Sequence, residues 1–404
     1  MLSQNKLINL IVLTHEPVPI GMAATNRIFS YSKGLVEIGH KVFVCSSKPG
    51  FNNSFNKTIG KFDGVNYQIL SDARHWNYGK LRKFIFFLKA HFLFIPYLIT
   101  SKKKNTNTIV LVVSNKVISI VFVRIITWLL GMPLLHEKSE FPFHYMSKFW
   151  IKRVVISRLY SNTIFKLFDG MIVISTTLKS FFKYKTRKAI PIITLPLTID
   201  TQRFINASVL NGYPKRFIGY CGYMGGNKDG ISDLLKAFSI VNHKFKDVKL
   251  VLVGTTEIAE MEAFKVYTQQ QNITEDVFFS GMLDRNEIPG FLKSAEVLVL
   301  SRPDNLQASG GFPTKLGEYL ASGKPVVVTK VGDIPNYLNH EKDSLLCEPG
   351  NIQDIANNII SVLENPSQFI SMGVSGQRLA IDKFDYRQTA YELEIFLTKT
   401  IYGQ

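Results

Sequence analysis

The chain alternates short, β-branched apolar runs with longer stretches in which apolar residues recur at helical spacing. In the first half the runs fall at residues 7–13, 41–45, 108–113, 171–174 and 192–195. In the second half they fall at 217–221, 249–253, 277–279, 297–300, 325–328 and 344–346. Continuous apolar runs of this length mark strands whose sheet is covered on both faces. Helical periodicity fills the intervals, as at 23–38, 231–242 and 352–363. Such alternation predicts parallel sheets, because a parallel return needs a crossover of this length. Both halves carry the pattern. It predicts an α/β chain of two doubly wound, Rossmann-like domains facing each other across a cleft. The expected boundaries are 1–205 and 206–385, with a last helix over 386–404 packing back toward the first domain.

Two segments approach membrane-spanning length. Residues 84–99 are short for a span and carry Lys89, His91 and Pro96; residues 109–132 contain Lys116 and Arg124 and read as strand, turn and helix. The apolar start at 7–13 contains Asn9 and lacks a small-residue cleavage site, so it reads as a first strand rather than a signal peptide. At 404 residues, 46% apolar and 20% charged, the chain suits two globular domains and excludes disordered and coiled-coil classes. Cys45, Cys221 and Cys347 are far apart, which gives neither a disulfide framework nor zinc-ligand spacing and suits a reducing cytoplasm. Charge is uneven: residues 1–205 hold 29 lysines and arginines against 8 acidic groups, residues 206–404 hold 19 against 23. Different partners for the two halves are implied.

In doubly wound sheets, ligands bind at the carboxyl ends of the strands, where loops enter helices. The loop after residues 217–221 reads Gly222-Tyr223-Met224-Gly225-Gly226-Asn227-Lys228-Asp229-Gly230. Glycines let a backbone approach a phosphate and a lysine adds charge. The spacing is neither the dinucleotide fingerprint nor the Walker loop, and a plain strand-to-helix turn fits it as well. The stretch 301–325, SRPDNLQASGGFPTKLGEYLASGKP, says more. Gly310 and Gly311 offer a tight turn and Pro313 suits helix entry, so Thr314, Lys315 and Leu316 would present amides to an anion. Glu318 lies one turn in. A carboxylate there is unsuited to a phosphate but accepts two hydroxyls of a neighbouring sugar, so the pair asks for a nucleotide. Complementing the helix dipole is its plainer role.

Gly311-Phe312-Pro313 followed by Leu316-Gly317-Glu318-Tyr319-Leu320-Ala321-Ser322-Gly323-Lys324-Pro325-Val326-Val327 resembles the signature of the retaining GT-B glycosyltransferases of family four, the group 1 glycosyltransferases. Residues 196–204, PLTIDTQRF, resemble the interdomain segment of that family. The resemblance implies that Glu318 binds the nucleotide ribose, that Lys228 binds the diphosphate, and that Gly222, Gly310, Gly311, Thr314, Lys315 and Leu316 line the donor site. Two positions depart from the pattern: Gly310 replaces the first Glu of the Glu-x7-Glu pair, and Tyr223 replaces an arginine. Sugar contacts then fall to Asp304, Asn305 and Gln307, with the amides of Gly310 and Gly311. In the first half, Gly21 matches the glycine-rich loop beneath the donor phosphate, and Arg27 is placed to reach an anionic group or solvent. His136 resembles the strand-end histidine beside the transferred sugar, with Glu137 for the usual aspartate, and Glu140 is a candidate for the acceptor hydroxyl.

The basic half interleaves aromatic and cationic residues at 81–104, 141–153 and 181–185. Such segments suit an anionic membrane surface; solvated helix faces and single-stranded nucleic acid are the alternatives, and the nucleotide-sugar signature argues against nucleic acid. With His136, Lys228 and Glu318 as the catalytic set, the reading implied is a glycosyltransferase moving a sugar from a nucleotide-diphosphate donor to a saccharide, or lipid-linked, acceptor in envelope polysaccharide assembly. It would be cytoplasmic and peripheral on the inner face of the membrane. No Asp-x-Asp triplet occurs, so no metal and no cofactor is expected. The alternatives are a GT-B epimerase or phosphorylase, and a non-catalytic nucleotide-sugar-binding subunit.

Overall fold

A computed structural model describes residues 7–49, 58–71, 78–104, 107–142, 162–187 and 190–403. The chain divides into two compact units, residues 1–198 with 386–404, and residues 199–385. The first unit is built on β1 (Asn9–Val18), β2 (Lys41–Pro49), β3 (Ile59–Phe62), β4 (Val65–Ile69), β5 (Thr108–Val113), β6 (Leu134–Lys138), β7 (Gly170–Val173) and β8 (Ile192–Thr194). These form one sheet in the order β3-β4-β2-β1-β5-β6-β7-β8. Neighbours pair in parallel except β3 and β4, which form an antiparallel hairpin with Phe62 opposite Val65. The β1 strand is central, with Leu10 in register with both Val42 and Ile109.

The second unit carries β9 (Phe217–Cys221), β10 (Lys249–Val253), β11 (Val277–Gly281), β12 (Val297–Leu300), β13 (Val326–Thr329) and β14 (Leu345–Cys347), in the order β11-β10-β9-β12-β13-β14. Every pairing in it is parallel. The bounds of β9, β10 and β12 are those the apolar runs predict. The helices are α1 (Ala23–Glu37), α2 (Lys80–Lys104), α3 (Val117–Leu129), α4 (Thr176–Lys183), α5 (Ile231–Lys244), α6 (Ile258–Gln270), α7 (Ile288–Ser294), α8 (Leu306–Gly310), α9 (Thr314–Ala321), α10 (Ile352–Glu364), α11 (Pro366–Phe384) and α12 (Tyr386–Tyr402), with short helical turns between some of them.

In the first unit α12 closes the core. Leu393, Phe396 and Leu397 pack with Tyr31 and Leu35 of α1 and with Leu10, Val12 and Leu135 of the sheet. The two helices approach closely at Gly34, where a Cβ would lie 2.6 Å from Ala390 Cβ and 2.7 Å from Tyr386 O. Only a residue without a side chain allows that approach.

By length and composition α2 would suffice to cross a membrane. In the fold it buries Phe87, Ala90, His91, Phe94 and Leu98 and leaves Leu81, Phe84, Ile85 and Phe92 exposed. Tyr97 stacks on Phe43 of β2 with ring centroids 4.5 Å apart. Three lysines in its last turn, Lys102 to Lys104, suit the negative end of the helix dipole. Of the other aromatic and basic segments, residues 143–153 lie outside the described residues. In α4, Phe182 turns into the core while Tyr184, just beyond, is exposed.

Candidate functional site

At the carboxyl ends of β9 and β12 the second unit brings together Asp229, Lys315 and Arg302. There α9 is fastened to β9 by a reciprocal pair: Cys221 N donates to Tyr319 Oη at 2.7 Å, and Tyr319 Oη donates to Cys221 O at 3.2 Å. This sets the first turn of α9 against the loop that follows β9. Pro313 occupies the N-cap and gives no side-chain acceptor, so no side chain caps that turn. The Leu316 amide is spent on Pro313 O at 3.0 Å, which corrects the expectation that it faces a ligand. Thr314 and Lys315 hold the outermost positions. Gly310 closes α8 and Gly311 follows in extended conformation, φ −95°, rather than in a left-handed turn.

The Lys315 ammonium turns back to Asp229 and to Tyr220 Oη, 2.9 Å from the latter. It occupies the space a Cβ at Gly222 would need, which is the close approach that makes that position a glycine. Arg302, buried at the end of β12, approaches Asp229 Oδ1 at 3.3 Å and donates to Ala308 O at 3.0 Å. Burial works against the charge of Asp229, but Lys315 and Arg302 outweigh it and hold the carboxyl below its usual range. Two cations thus share one anion.

Glu318 stands half-buried beside this group. Among the described residues its carboxylate accepts no hydrogen bond. Burial raises its pKa, and the charges of Arg203, Lys315 and Arg285 act against that rise. Arg203 reaches toward this corner from the turn Gln202–Ile205 and donates to Arg285 O at 2.5 Å. Arg203, Arg285, Arg302, Asp229 and Tyr220 are functional candidates that the motif reading passed over. Asp229 follows Lys228 directly, and its burial between two cations gives no periodic trace in sequence.

The loop carrying Lys228 is pinned from outside the site: Gly226 N donates to Glu260 Oε1 at 2.8 Å, and Met224 N to Thr255 O at 2.9 Å. Lys228 sits half-buried in it. Asn305 is occupied as the cap of α8, accepting from Ala308 N at 2.8 Å, so its expected place on a sugar gives way to a structural task. Asp304 is exposed and Gln307 half-buried at the same helix start.

The remaining candidates lie in the first unit. Gly21 falls at the turn between β1 and α1, where Thr25 Oγ1 donates to Pro17 O at 2.7 Å. Arg27 is buried, not free: its guanidinium donates to Glu137 Oε1 at 2.5 Å, to Leu195 O at 2.8 Å and to Pro196 O. This corrects the expectation of a contact to an anionic ligand, because those donors are matched by protein oxygens. Tyr31 donates to Glu137 Oε2 at 2.9 Å, so Glu137 serves the same buried group. His136 has no exposed surface and stacks on Phe168 with ring centroids 4.4 Å apart. Its Nδ1 donates to Val112 O at 2.8 Å; Nε2 is buried with no partner among the described residues. Burial, then Lys138, push its pKa down to about 3, so the ring is neutral. Glu140 is half-buried two residues past β6, near Lys138. Ser175 caps α4, accepting from Leu178 N at 3.1 Å.

Residues 215–365, all within the second unit, match the family model described as glycosyl transferases group 1. The chain is 25% identical over 197 residues to YqgM, an uncharacterised glycosyltransferase of Bacillus subtilis, across 49% of this chain and 52% of the relative. It therefore spans about half the length of that curated relative. Among solved structures it is similar to sucrose-phosphate synthase from Thermosynechococcus elongatus, with a TM-score of 0.73 and 17% identity over 98% of this chain and 100% of the other. It is also similar to HepE of Anabaena in complex with UDP, with a TM-score of 0.69 and 15% identity over 97% and 100%. These likenesses show the fold, the GT-B fold of two Rossmann-like domains.

Proposed function

We propose that the protein is a retaining group 1 glycosyltransferase that takes a sugar from a nucleotide-diphosphate donor and passes it to a saccharide or lipid-linked acceptor in envelope polysaccharide synthesis. The observation that carries the reading is Glu318, a carboxylate that accepts no hydrogen bond among the described residues. It stands one turn inside a helix with no side-chain cap, beside Lys315, Arg203 and Arg285. A ribose offers two hydroxyls to that carboxylate, while the diphosphate next to it meets the helix amides and the cations. The match of residues 215–365 to the group 1 model and the likeness to a protein solved with UDP support it.

In this reading the bond between the anomeric carbon and the diphosphate breaks, and negative charge grows on the departing oxygen. Lys228, Lys315, Arg203, Arg285 and the amides of Thr314 and Lys315 stabilise that charge, so the reading needs no metal. The acceptor oxygen bonds to the anomeric carbon, whose configuration is retained, and the acceptor's proton passes to the departing diphosphate oxygen. A cytoplasmic position on the inner face of the membrane belongs to the proposal, and three buried free thiols suit a reducing compartment.

The test is thermal shift and calorimetry with uridine, guanosine, adenosine and thymidine diphosphates. One of them should stabilise the protein, by about 2.7 kcal/mol at a hundred times its Kd. Glu318→Ala should weaken that affinity by about 1.5–3 kcal/mol, the scale of a charge-assisted hydrogen bond. No stabilisation by any of the four, or an unchanged Kd in the variant, overturns the reading. A donor-binding subunit without turnover is the second reading, favoured by the enclosure of His136. Donor binding with no transfer or hydrolysis in the same preparations would select it.

A further inference from the structure

The first unit carries an apolar surface that its described residues leave uncovered. Helices α2 and α3 lie side by side, with the rings of His91 and Phe122 5.2 Å apart and those of Phe92 and Phe122 6.2 Å apart. On α3, Ile118, Val121, Ile125 and Trp128 recur at helical spacing and stand in solvent, Trp128 with 70% of its surface exposed. On α2, Leu81, Ile85 and Phe92 form a matching exposed ridge. Contiguous apolar surface of this kind marks an interaction site.

Between the two helices runs an open groove of about 420 Å³, lined by Lys83, Phe84 and Phe87 of α2 and by Lys116, Val117 and Ile118 at the start of α3. Its walls are apolar and its rim is cationic. The Lys116 ammonium sits 4.4 Å above the Phe87 ring. Burial lowers the Lys116 pKa and the nearby charge of Lys48 adds to the effect. Lys48 is lowered by burial too, with Glu16 opposing and Lys83 adding. The groove opens where the pairing of β1 with β5 ends at Thr14 and Val113: His15, the next residue of β1, shares the Ser119 hydroxyl with His91, at 3.1 and 2.8 Å. That is the edge at which a doubly wound sheet places its ligands.

Charge selects the occupant. Residues 73–136, which contain both helices, hold ten lysines and arginines and no acidic residue. A second copy of so basic a surface would be repelled. The exposed face of α3 is mainly aliphatic, which gives single-stranded nucleic acid little to stack on. The sheet-facing side of α2 is packed, so the helix lies along a surface rather than through it.

We propose that the α2–α3 face docks on an anionic lipid bilayer and that the groove receives one hydrocarbon chain of a phosphate-bearing lipid, whose phosphate meets Lys83 and Lys116. The assignment of this lipid as the acceptor rests on the glycosyltransferase reading; the lipid site itself does not.

Flotation with vesicles of phosphatidylcholine and phosphatidylglycerol at low salt tests it. Wild type should bind the mixed vesicles and bind pure phosphatidylcholine at least about tenfold more weakly. The double variant Phe84→Glu/Ile118→Glu alters exposed residues only, and should keep its thermal midpoint while losing binding at least about tenfold. Lys83→Ala/Lys116→Ala should remove most of the preference for the anionic vesicles. Phosphatidylcholine brominated in its acyl chains, mixed with phosphatidylglycerol, should quench wild-type tryptophan fluorescence, and Trp128→Phe should lose most of that quenching. Wild type that ignores the mixed vesicles, or a double variant that binds them as wild type does, overturns the proposal. Nucleoside diphosphate stabilisation in the same preparations reports the second unit alone. Its loss with vesicle binding intact removes the acceptor assignment and leaves the lipid site; its presence with vesicle binding absent removes the lipid site only.

Discussion

At the scale of the residue, Glu318 carries a conflict between folding and binding. Burial makes its charged form costly, and the folded pKa lies above the ordinary glutamate value of 4.5. A carboxyl raised in this way destabilises the fold in full above its folded pKa, and protonation relieves the cost as pH falls through that value. Glu318→Gln should therefore raise the melting temperature of the ligand-free protein at pH 7, and the gain should vanish in scans below about pH 4. The same substitution should weaken nucleoside diphosphate binding. Both outcomes together identify a group kept for its ligand; a lower melting temperature at pH 7 would show that the carboxylate serves the fold. Glu318 was legible in sequence because its motif fixes it one turn into a helix. The use made of Arg27 was not legible: an arginine four residues into α1 looks alike whether it faces solvent or, as here, Glu137 and two carbonyls distant in sequence.

At the scale of the element, the cap of α8 separates a structural from a ligand role for Asn305. Asn305→Ala should cost about 0.5–2 kcal/mol in chemical denaturation, the range for a lost N-cap, and Asn305→Ser should restore most of it. Donor affinity that follows capping ability places the side chain in the helix; affinity lost equally in both variants would place it on the sugar. The parallel strands were legible because burial on both faces leaves uninterrupted apolar runs, as in β9 and β12. The β3–β4 hairpin was not. Its outer strand, Ile59–Phe62, alternates exposed and half-buried positions and leaves no apolar run. Its signal lay in the turn, Asp63-Gly64, both with positive φ, the pair that a tight hairpin favours. The α2 periodicity was legible but not its orientation: both faces are apolar, and the sheet takes the one with Phe87, Phe94 and Leu98.

At the scale of the whole molecule, the units are interleaved along the chain, since residues 386–404 belong to the first. Phe396, buried between α12 and the sheet, tests this. Phe396→Ala should cost about 3–5 kcal/mol, the range for emptying a buried aromatic site. Hydrogen exchange should show that loss in β1, β5 and α1, with protection in β9, β10 and β12 kept. Loss of protection spread evenly over both units would mean that they unfold as one. The two-unit organisation was legible from the repeated strand–helix pattern and the charge contrast between the halves. The site's cationic group was legible only in part, because Lys315 and Glu318 lie in one motif whereas Arg203 and Arg285 come from segments on either side of β9, β10 and β11.

The return of α12 to the first unit has a consequence for biosynthesis. Translation delivers the N-terminal sheet early, yet that sheet waits for Leu393, Phe396 and Leu397 before its interior is complete. Residues 199–385 leave the ribosome as an uninterrupted block and have every strand of their own sheet before then. The half encoded second is thus the first able to finish folding, and the interior of the N-terminal half stays incomplete until α12 emerges.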